Sequence, residues 1–268
     1  MIQKDFSIGI FDSGVGGTSI WKEINHLLPL ESTLYLSDSK HAPYGTKSKE
    51  EIIALAIKNT EYLLNRNCKI IVVACNTATT NAIAYLRKHY EVPFIGIEPA
   101  IKPAALQTKT NTIGILATKG TLNSGLFEKT SQKLDKEIKI VEQIGTGLVA
   151  LIENGKLDSE EMTQLLQHYL MPMVSENIDC LVLGCTHYPY LIPQIRKIIG
   201  SKIHIIDSGQ AVAKQTKKVL SEAGLLKTVQ TKNKRSHQFL INRDKNTLTE
   251  LLADCEKEKS LILLETDF

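Results

Sequence analysis

The sequence predicts an α/β protein made of two similar Rossmann-like or flavodoxin-like domains, each with a mainly parallel sheet, and an active site in the cleft between them. Three observations predict this fold. Short β-rich runs alternate with longer amphipathic helical patterns along the 268 residues. Several of the β-rich runs are continuously apolar, as strands buried on both faces are. Two strand-and-turn motifs also occur twice, in the same order.

Nine segments have the length and composition of strands: 7–11, 33–36, 69–74, 93–97, 112–117, 139–143, 179–184, 202–206 and 238–241. Between them, apolar residues recur with helical spacing. One helix is predicted to begin at the S-x-x-E capping box of Ser48 and Glu51, and another follows Asp158 and Ser159.

The repeated motifs relate the two halves of the chain. IGIFDSG from Ile8 resembles IGILATKG from Ile113, 105 positions later, and VVACNT from Val72 resembles VLGCTH from Val182, 110 positions later. The shared order and nearly equal offset favour two similar domains. Because ligands of such sheets bind beyond the carboxyl ends of the strands, all four turns are expected at one cleft.

Composition and charge exclude several classes of protein. A net charge of +3 is too small to indicate a nucleic-acid partner, and the basic stretch 227–235 lacks aromatic residues, so we interpret it as a solvent-exposed connection. The sequence has no secretory signal and no run of roughly 18 apolar residues, so no membrane association is expected. Five cysteines are an odd number, which predicts reduced thiols and a cytoplasmic protein.

Two of these cysteines occupy matched positions. Cys75 and Cys185 each follow a predicted strand and precede a predicted helix, at 79–89 and 189–199. A helix N-terminus favours a thiolate, and His187 is suited to be the proton partner of Cys185. The alternative, that a cysteine is a small buried apolar residue, we accept for Cys68, Cys180 and Cys255.

A metal or redox site is not favoured. Cys75, Cys185, His187 and Asp12 lack the close ligand pairs that are typical of zinc sites, and the chain has no C-x-x-C motif. We therefore expect no metal. No lysine motif indicates a pyridoxal phosphate Schiff base, so no cofactor is expected either.

The segment DSGVGG, residues 12–17, is a glycine-rich turn between a strand and a helix. Ser19 breaks the G-x-G-x-x-G spacing, so a nucleotide is not favoured. Glycines allow a small ligand close to the backbone, and the N–H groups at a helix start suit its carboxylate. Asp12 is interpreted as a helix N-cap, as an acid/base group in the cleft, or as both.

These motifs resemble the signature segments of bacterial glutamate racemases, in the aspartate/glutamate racemase family: DSGVGG at 12–17, PYG at 43–45, ACNTA at 74–78 and GCTHYP at 184–189. The resemblance implies a first domain at residues 1–97 plus 210–268 and a second at 98–209. It also implies a cofactor-independent enzyme that supplies D-glutamate for peptidoglycan, frequently as a homodimer.

The resemblance implies roles for individual residues. Cys75 would take the Cα proton from D-glutamate with help from Asp12, and Cys185 would take it from L-glutamate with help from His187. Glu153 is a further catalytic candidate. The substrate would be held by Asp12, Ser13, Pro43, Tyr44, Gly45, Asn76, Thr77, Thr118, Thr186 and His187. Two alternatives stay open: a racemase for aspartate or a related amino acid, and a two-domain binding module without catalysis.

Overall fold

The computed structural model describes residues 3–135, 137–229, 235–255 and 261–268. Its strands are β1 (Ile8–Asp12), β2 (Thr33–Ser37), β3 (Ile70–Val73), β4 (Phe94–Gly96), β5 (Thr112–Ala117), β6 (Lys139–Ile144), β7 (Cys180–Gly184), β8 (His204–Ile206), β9 (His237–Ile241) and β10 (Leu261–Glu265). Its helices are α1 (Thr18–Leu27), α2 (Lys49–Asn65), α3 (Asn76–His89), α4 (Ile101–Gln107), α5 (Lys119–Leu122), α6 (Gly125–Ser131), α7 (Leu148–Glu153), α8 (Glu160–Ser175), α9 (Ile192–Ile199), α10 (Gly209–Glu222) and α11 (Asn246–Leu252).

The strands form two sheets, and all pairings within the described ranges are parallel. One sheet has the order β10-β9-β2-β1-β3-β4 and the other has the order β6-β5-β7-β8. The order β2-β1-β3-β4 therefore recurs in the second sheet, with the repeated motifs on β1 and β3 and on β5 and β7. This arrangement confirms the predicted α/β class with two similar, parallel units. The domain bounds themselves stay a prediction.

All nine predicted strands are present, and β10 at the sheet edge is an addition. The strands at the centre of each sheet are apolar except at their ends, as strands covered on both faces are; β1 and β3 are buried at every position. The largest apolar core is shared between the sheets, since Ile10 and Val72 belong to the same cluster as Leu183. The carboxyl ends of the two sheets are thereby held against each other.

The structure confirms the predicted start of α2 and places the starts of α3 and α9 differently. The Ser48 hydroxyl accepts a hydrogen bond from the Glu51 N–H at 3.2 Å, and the Glu51 carboxylate accepts one from the Ser48 N–H at 2.8 Å, which confirms the capping box. Helix α3 begins three residues earlier than predicted because Cys75 is its N-cap. After Cys185 the prediction was wrong: a 3₁₀ turn, Tyr188–Leu191, comes first and α9 starts only at Ile192.

A buried ion pair joins three segments at the amino end of the first sheet. The Lys69 ammonium donates to a Glu31 carboxylate oxygen at 2.6 Å and to the carbonyls of Lys4 and Leu225 at 2.7 and 2.9 Å. The other Glu31 oxygen accepts from the N–H of Lys227 at 2.9 Å. The interpretation of 227–235 as a solvent-exposed connection was therefore wrong at Lys227, and residues 230–234 lie outside the described residues.

Candidate active site

The glycine turn, residues 13–17, connects β1 to α1 at the carboxyl end of the first sheet. Its N–H groups bind carboxylates of the protein: Val15 donates to Glu153 at 2.7 Å and Gly17 donates to Asp12 at 2.8 Å. The sequence-based interpretation that these donors would take a ligand carboxylate is therefore wrong for both groups. Gly17, not Asp12, is the N-cap residue of α1, and Asp12 reaches the helix start from the end of β1.

Space explains why this turn is made of glycine. A Cβ atom on Gly14 would overlap the Glu153 carboxylate, and one on Gly16 would overlap the His187 ring. Both of those side chains come from elements that follow strands of the second sheet. The glycines therefore permit a close approach between the two halves of the molecule.

Cys75 lies at the N-terminus of α3 and is almost completely buried. Its thiol is 3.5 Å from the Ser13 hydroxyl, to which it donates, and its sulfur is 3.4 Å from the N–H of Ala78. Burial, with the nearby charge of Asp12, raises the pKa of Cys75 well above its usual range, although the contacts with Ser13 and Ala78 oppose the shift. The neutral thiol is therefore the favoured form of Cys75.

Asp12 is joined to Cys75 through Ser13. The Ser13 hydroxyl lies 3.4 Å from an Asp12 carboxylate oxygen, to which it donates. Burial raises the pKa of Asp12 to about 6, against the opposing effects of the His187 charge and the Gly17 N–H. A carboxyl group with a pKa near neutrality is suited to accept and return protons. The hydrogen bonds that link Cys75 through Ser13 to Asp12 therefore involve only residues at the carboxyl ends of β1 and β3.

Cys185 lies just past the end of β7, with His187 as its neighbour. The sulfur is 3.7 Å from Nδ1 of His187, and Nε2 of the same ring is 2.6 Å from a Glu153 carboxylate oxygen. Burial disfavours the charged ring, but the contacts with Cys185 and Glu153 prevail and raise the pKa of His187 well above its usual value. The ring is thus an imidazolium between a sulfur and a carboxylate. The N–H of Gly16 also points at Nε2, at 3.2 Å, but a nitrogen that donates to Glu153 cannot accept from it.

Both thiols face one small cavity, which has an empty volume of about 260 Å³. Its lining residues are Ser13, Pro43, Tyr44, Gly45, Cys75, Asn76, Thr77, Thr118, Val149, Cys185, Thr186 and His187. The structure therefore brings nine of the ten substrate-binding residues that the resemblance implied to one cavity; the tenth, Asp12, does not line it. Asp12 and Glu153 lie behind this lining, in contact with residues of it. Val149 is an addition, and its apolar helical pattern gives no signal that separates it from a core residue.

The polar groups of the lining are mostly neutral. The hydroxyls of Thr77 and Thr118, from α3 and from the end of β5, are 2.8 Å apart and join the two halves. The Asn76 amide is buried, and neither its oxygen nor its nitrogen has a hydrogen-bond partner among the described residues. A buried amide without a partner costs on the order of 1–3 kcal/mol, so this side chain is suited to receive a ligand.

Three supporting residues were not predicted. Asp38 is completely buried and accepts hydrogen bonds from the Tyr44 hydroxyl and, at 2.6 Å, from the Asn242 amide. Ser39 donates to Glu153 at 2.7 Å. Asp38 and Ser39 follow a parallel strand directly, which was a usable signal for both. Asn242 follows β9, far along the chain, and no local pattern marks it.

Among the described residues, no group of three or more His, Cys, Asp or Glu side chains is placed to hold a metal ion. In the same part of the chain, no helix is both long enough and apolar enough to cross a membrane.

Two parallel sheets of the same strand order, each of which brings one thiol to a shared polar cavity, define an α/β isomerase with acid–base side chains. The chain belongs to the Asp/Glu/Hydantoin racemase family, whose sequence profile matches residues 8–216.

Named relatives and solved structures agree with this assignment. The chain is 45% identical to a glutamate racemase of Herpetosiphon aurantiacus over 223 residues, which are 83% of this chain and 88% of that protein. It is 46% identical to one of Cupriavidus pinatubonensis over 218 residues, 81% of this chain and 80% of that protein. The crystal structure of the Bacillus anthracis isoform RacE1 has a TM-score of 0.87 at 32% identity and covers 99% of both chains. The Francisella tularensis glutamate racemase, solved in complex with D-glutamate, has a TM-score of 0.83 at 28% identity and covers 98% of both chains.

Proposed function

We propose that this protein is a glutamate racemase that interconverts L- and D-glutamate by proton transfer at Cα between two thiols, without a cofactor. The observation that carries the proposal is that Cys75 and Cys185, from matching strand ends of the two sheets, line the same cavity. Inversion needs a proton removed from one face of Cα and another delivered to the opposite face. Two fixed acid/base groups perform this without moving.

The surroundings of the two thiols suit L-glutamate. Burial favours the neutral thiol at Cys75, and the sulfur of Cys185 lies 3.7 Å from Nδ1 of His187, the group placed to exchange a proton with it. Cys185 then removes the Cα proton of L-glutamate, and Cys75 delivers its own proton to the other face. After this step Cys75 is the thiolate and Cys185 the thiol, which is the state that D-glutamate requires. Asp12 reaches Cys75 through Ser13 and returns a proton to it by this route, while Cys185 releases the proton it gained to solvent once the product has left, which restores the first state.

Apart from the His187 ring, binding depends on neutral groups, since no lysine or arginine among the described residues lines the cavity. The unpartnered Asn76 amide and the hydroxyls of Thr77, Thr118 and Thr186 are the groups we assign to the two carboxylates and the ammonium of glutamate. Their hydrogen bonds strengthen when the closed cavity excludes water, and this stabilises the charge that develops as the proton leaves.

The proposal extends to the enzyme's biological role, its location, its oligomeric state and its domains. Its product would supply peptidoglycan with D-glutamate, in the cytoplasm, and the enzyme would act as a homodimer. We also assign residues 1–97 plus 210–268 to one domain and 98–209 to the other. This division is supported by the membership of β9 and β10 in the first sheet.

The direct test is incubation of the chelator-treated protein with L-glutamate in D₂O, with no cofactor added. We expect loss of optical rotation together with entry of deuterium at Cα. A parallel incubation with L-aspartate tests the alternative substrate. If a folded protein changes neither amino acid but is stabilised against heat by glutamate, the binding-module alternative replaces this proposal.

The roles of the two thiols need a different reaction. Because L- and D-glutamate have equal free energies, kcat/KM must be the same in both directions for any variant, so racemisation rates cannot assign a thiol to a face. An analogue such as 3-chloroglutamate loses HCl after a single deprotonation. We expect Cys185→Ser to slow elimination from the L-configured analogue by about 100-fold or more, and Cys75→Ser to do so for the D-configured analogue. Equal losses for both analogues would contradict the assignment.

A further inference from the structure

Glu153 is held by groups from both halves of the molecule. It is the last residue of α7, which follows β6 of the second sheet, and its side chain is 4% exposed. One carboxylate oxygen contacts His187 at 2.6 Å and accepts from the Val15 N–H at 2.7 Å. The other accepts from the Ser39 hydroxyl at 2.7 Å. Val15 and Ser39 both lie in turns at the carboxyl end of the first sheet.

The Ser39 hydroxyl is itself oriented. Ser39 is 2% exposed, and its oxygen is 3.1 Å from the hydroxyl of Ser37, the last residue of β2. Since the Ser39 proton is directed to Glu153, Ser37 must be the donor in that pair. The end of β2 therefore fixes the direction in which Ser39 donates.

The two thiols differ in how their partners are assembled. The partners of Cys75, namely Ser13 and Asp12, both come from the first sheet. The chain from Cys185 through His187 to Glu153 comes from the second half, and its outer end is bound only by groups of the first half among the described residues. The chain of contacts that supports Cys185 is thus complete only when the two halves are in contact.

We propose that Ser39 is a positioning residue for Cys185: with the Val15 N–H it fixes the Glu153 carboxylate, which holds the His187 imidazolium against the sulfur. The inference rests on the proposed racemisation. Loss of the hydroxyl allows the carboxylate to rotate, so the ring loses its fixed orientation, and Cys185 loses its stabilising cation. Cys75 keeps its own partners, Ser13 and Asp12, which lie outside this chain of contacts.

The test is Ser39→Ala, measured by elimination from both enantiomers of 3-chloroglutamate. We expect elimination from the L-configured analogue to fall about 10- to 100-fold, as for other residues that orient a reacting group through a partner. Elimination from the D-configured analogue should stay within about twofold of the parent enzyme, and it also reports that the variant is folded.

Ser19→Ala is the matched control. The Ser19 hydroxyl also crosses between the halves, since it donates to the Thr186 carbonyl at 2.8 Å, but its hydrogen bond involves neither Glu153 nor the His187 ring. Because Glu153 and the His187 ring keep their contacts in this variant, we expect elimination from the L-configured analogue to fall less than in Ser39→Ala. An equal fall for both enantiomers in Ser39→Ala, or no fall for either, overturns the inference. If the parent enzyme racemises glutamate, such a result leaves the proposed function standing; if the parent neither racemises nor eliminates, both proposals fail.

Discussion

Single residues in this site hold protons in positions where water cannot reach them. Asp12 is the clearest case, because it is completely buried and its pKa of about 6 lies far from that of an exposed aspartate. The same burial that makes it an effective proton carrier penalises its ionised form. Its catalytic use and its cost to stability therefore have one physical cause.

The first prediction concerns Asp12→Asn. An acid whose pKa rises on folding stabilises the folded state below its unfolded pKa, and this contribution is lost as the pH rises through the folded pKa. Asparagine does not ionise, yet its oxygen still accepts from the Gly17 N–H. From pH 4 to pH 8, the free energy of unfolding of the variant should therefore gain on the order of 3 kcal/mol relative to the parent protein. Urea unfolding at several pH values measures this difference.

Racemisation by the same variant should fall about 100-fold, since a general acid–base group contributes on this scale. Parallel stability curves for variant and parent would contradict the raised pKa. Such a result would leave Asp12 as an ordinary ionised carboxylate at the start of α1.

At the scale of elements, the turn between β1 and α1 decides whether the two halves can meet. Its glycines are not a phosphate-binding loop, and they leave room for two side chains of the opposite half. The turn therefore matters because its glycines have no side chains and leave space for those two groups. A single methyl group is enough to test this.

Gly16→Ala supplies that methyl group. The added Cβ would overlap the His187 ring, so the ring must move away from Cys185. We expect racemisation to fall by about 100-fold or more, and the unfolding free energy to fall by about 1–3 kcal/mol. Gly125→Ala is the control, since among the described residues no atom outside its chain neighbours and its own helix backbone lies within 4 Å of the added Cβ. It should leave turnover unchanged; equal behaviour of the two variants would show that the turn has no special need for glycine.

The sequence was informative about elements wherever the determining contacts are local. The capping box of Ser48 and Glu51 and the continuous apolar runs predicted α2 and the central strands, because these depend on neighbours in the chain. Strand β10 was not predicted, since Leu261–Glu265 is an edge strand with partly exposed residues and so lacks a clear burial pattern. The start of α9 was misplaced because Pro189 and Pro193 each suit the first turn of a helix, and the 3₁₀ turn takes the first of them.

The residues of the candidate site likewise fall into those that a local sequence pattern marks and those that depend on long-range contacts. Cys75, Cys185 and His187 stand at strand ends, where a repeated motif marks them in the sequence. The contact of Ser39 with Glu153 joins residues 114 positions apart, and that of Asn242 with Asp38 joins residues 204 apart. No pattern along one chain encodes such pairs, since they depend on how the two sheets meet.

At the scale of the whole molecule, the two ends of the first sheet contribute separately to catalysis and to stability. The carboxyl ends of the strands carry the site, and the amino end carries the buried pair of Lys69 and Glu31. That pair joins the N-terminal segment to the chain that follows α10. Stability and catalysis are therefore separable by mutation.

Lys69→Met tests this separation. It leaves the Glu31 carboxylate buried without its cation, so we expect a loss of about 3–5 kcal/mol in the unfolding free energy. Adding Glu31→Gln removes the isolated charge and should restore part of that loss. The kcat of the folded fraction should stay unchanged, because the pair lies roughly 15 Å from the site, the length of a strand. Losses that are simply additive in the double variant would show that the two residues act independently.

The recurring strand order of the two sheets has a consequence for chirality. A chain of L-amino acids cannot contain a mirror plane, yet this active site must serve two mirror-image substrates equally. Rotation is the only point symmetry open to such a chain, and a rotation can relate two copies of one βαβ arrangement. A twofold axis that lies in the plane of the deprotonated Cα exchanges the two faces of that carbon. Repetition of one handed unit is thereby a way for a handed molecule to place a similar thiol at each face of Cα, whereas the equality of kcat/KM for the two enantiomers follows from their equal free energies.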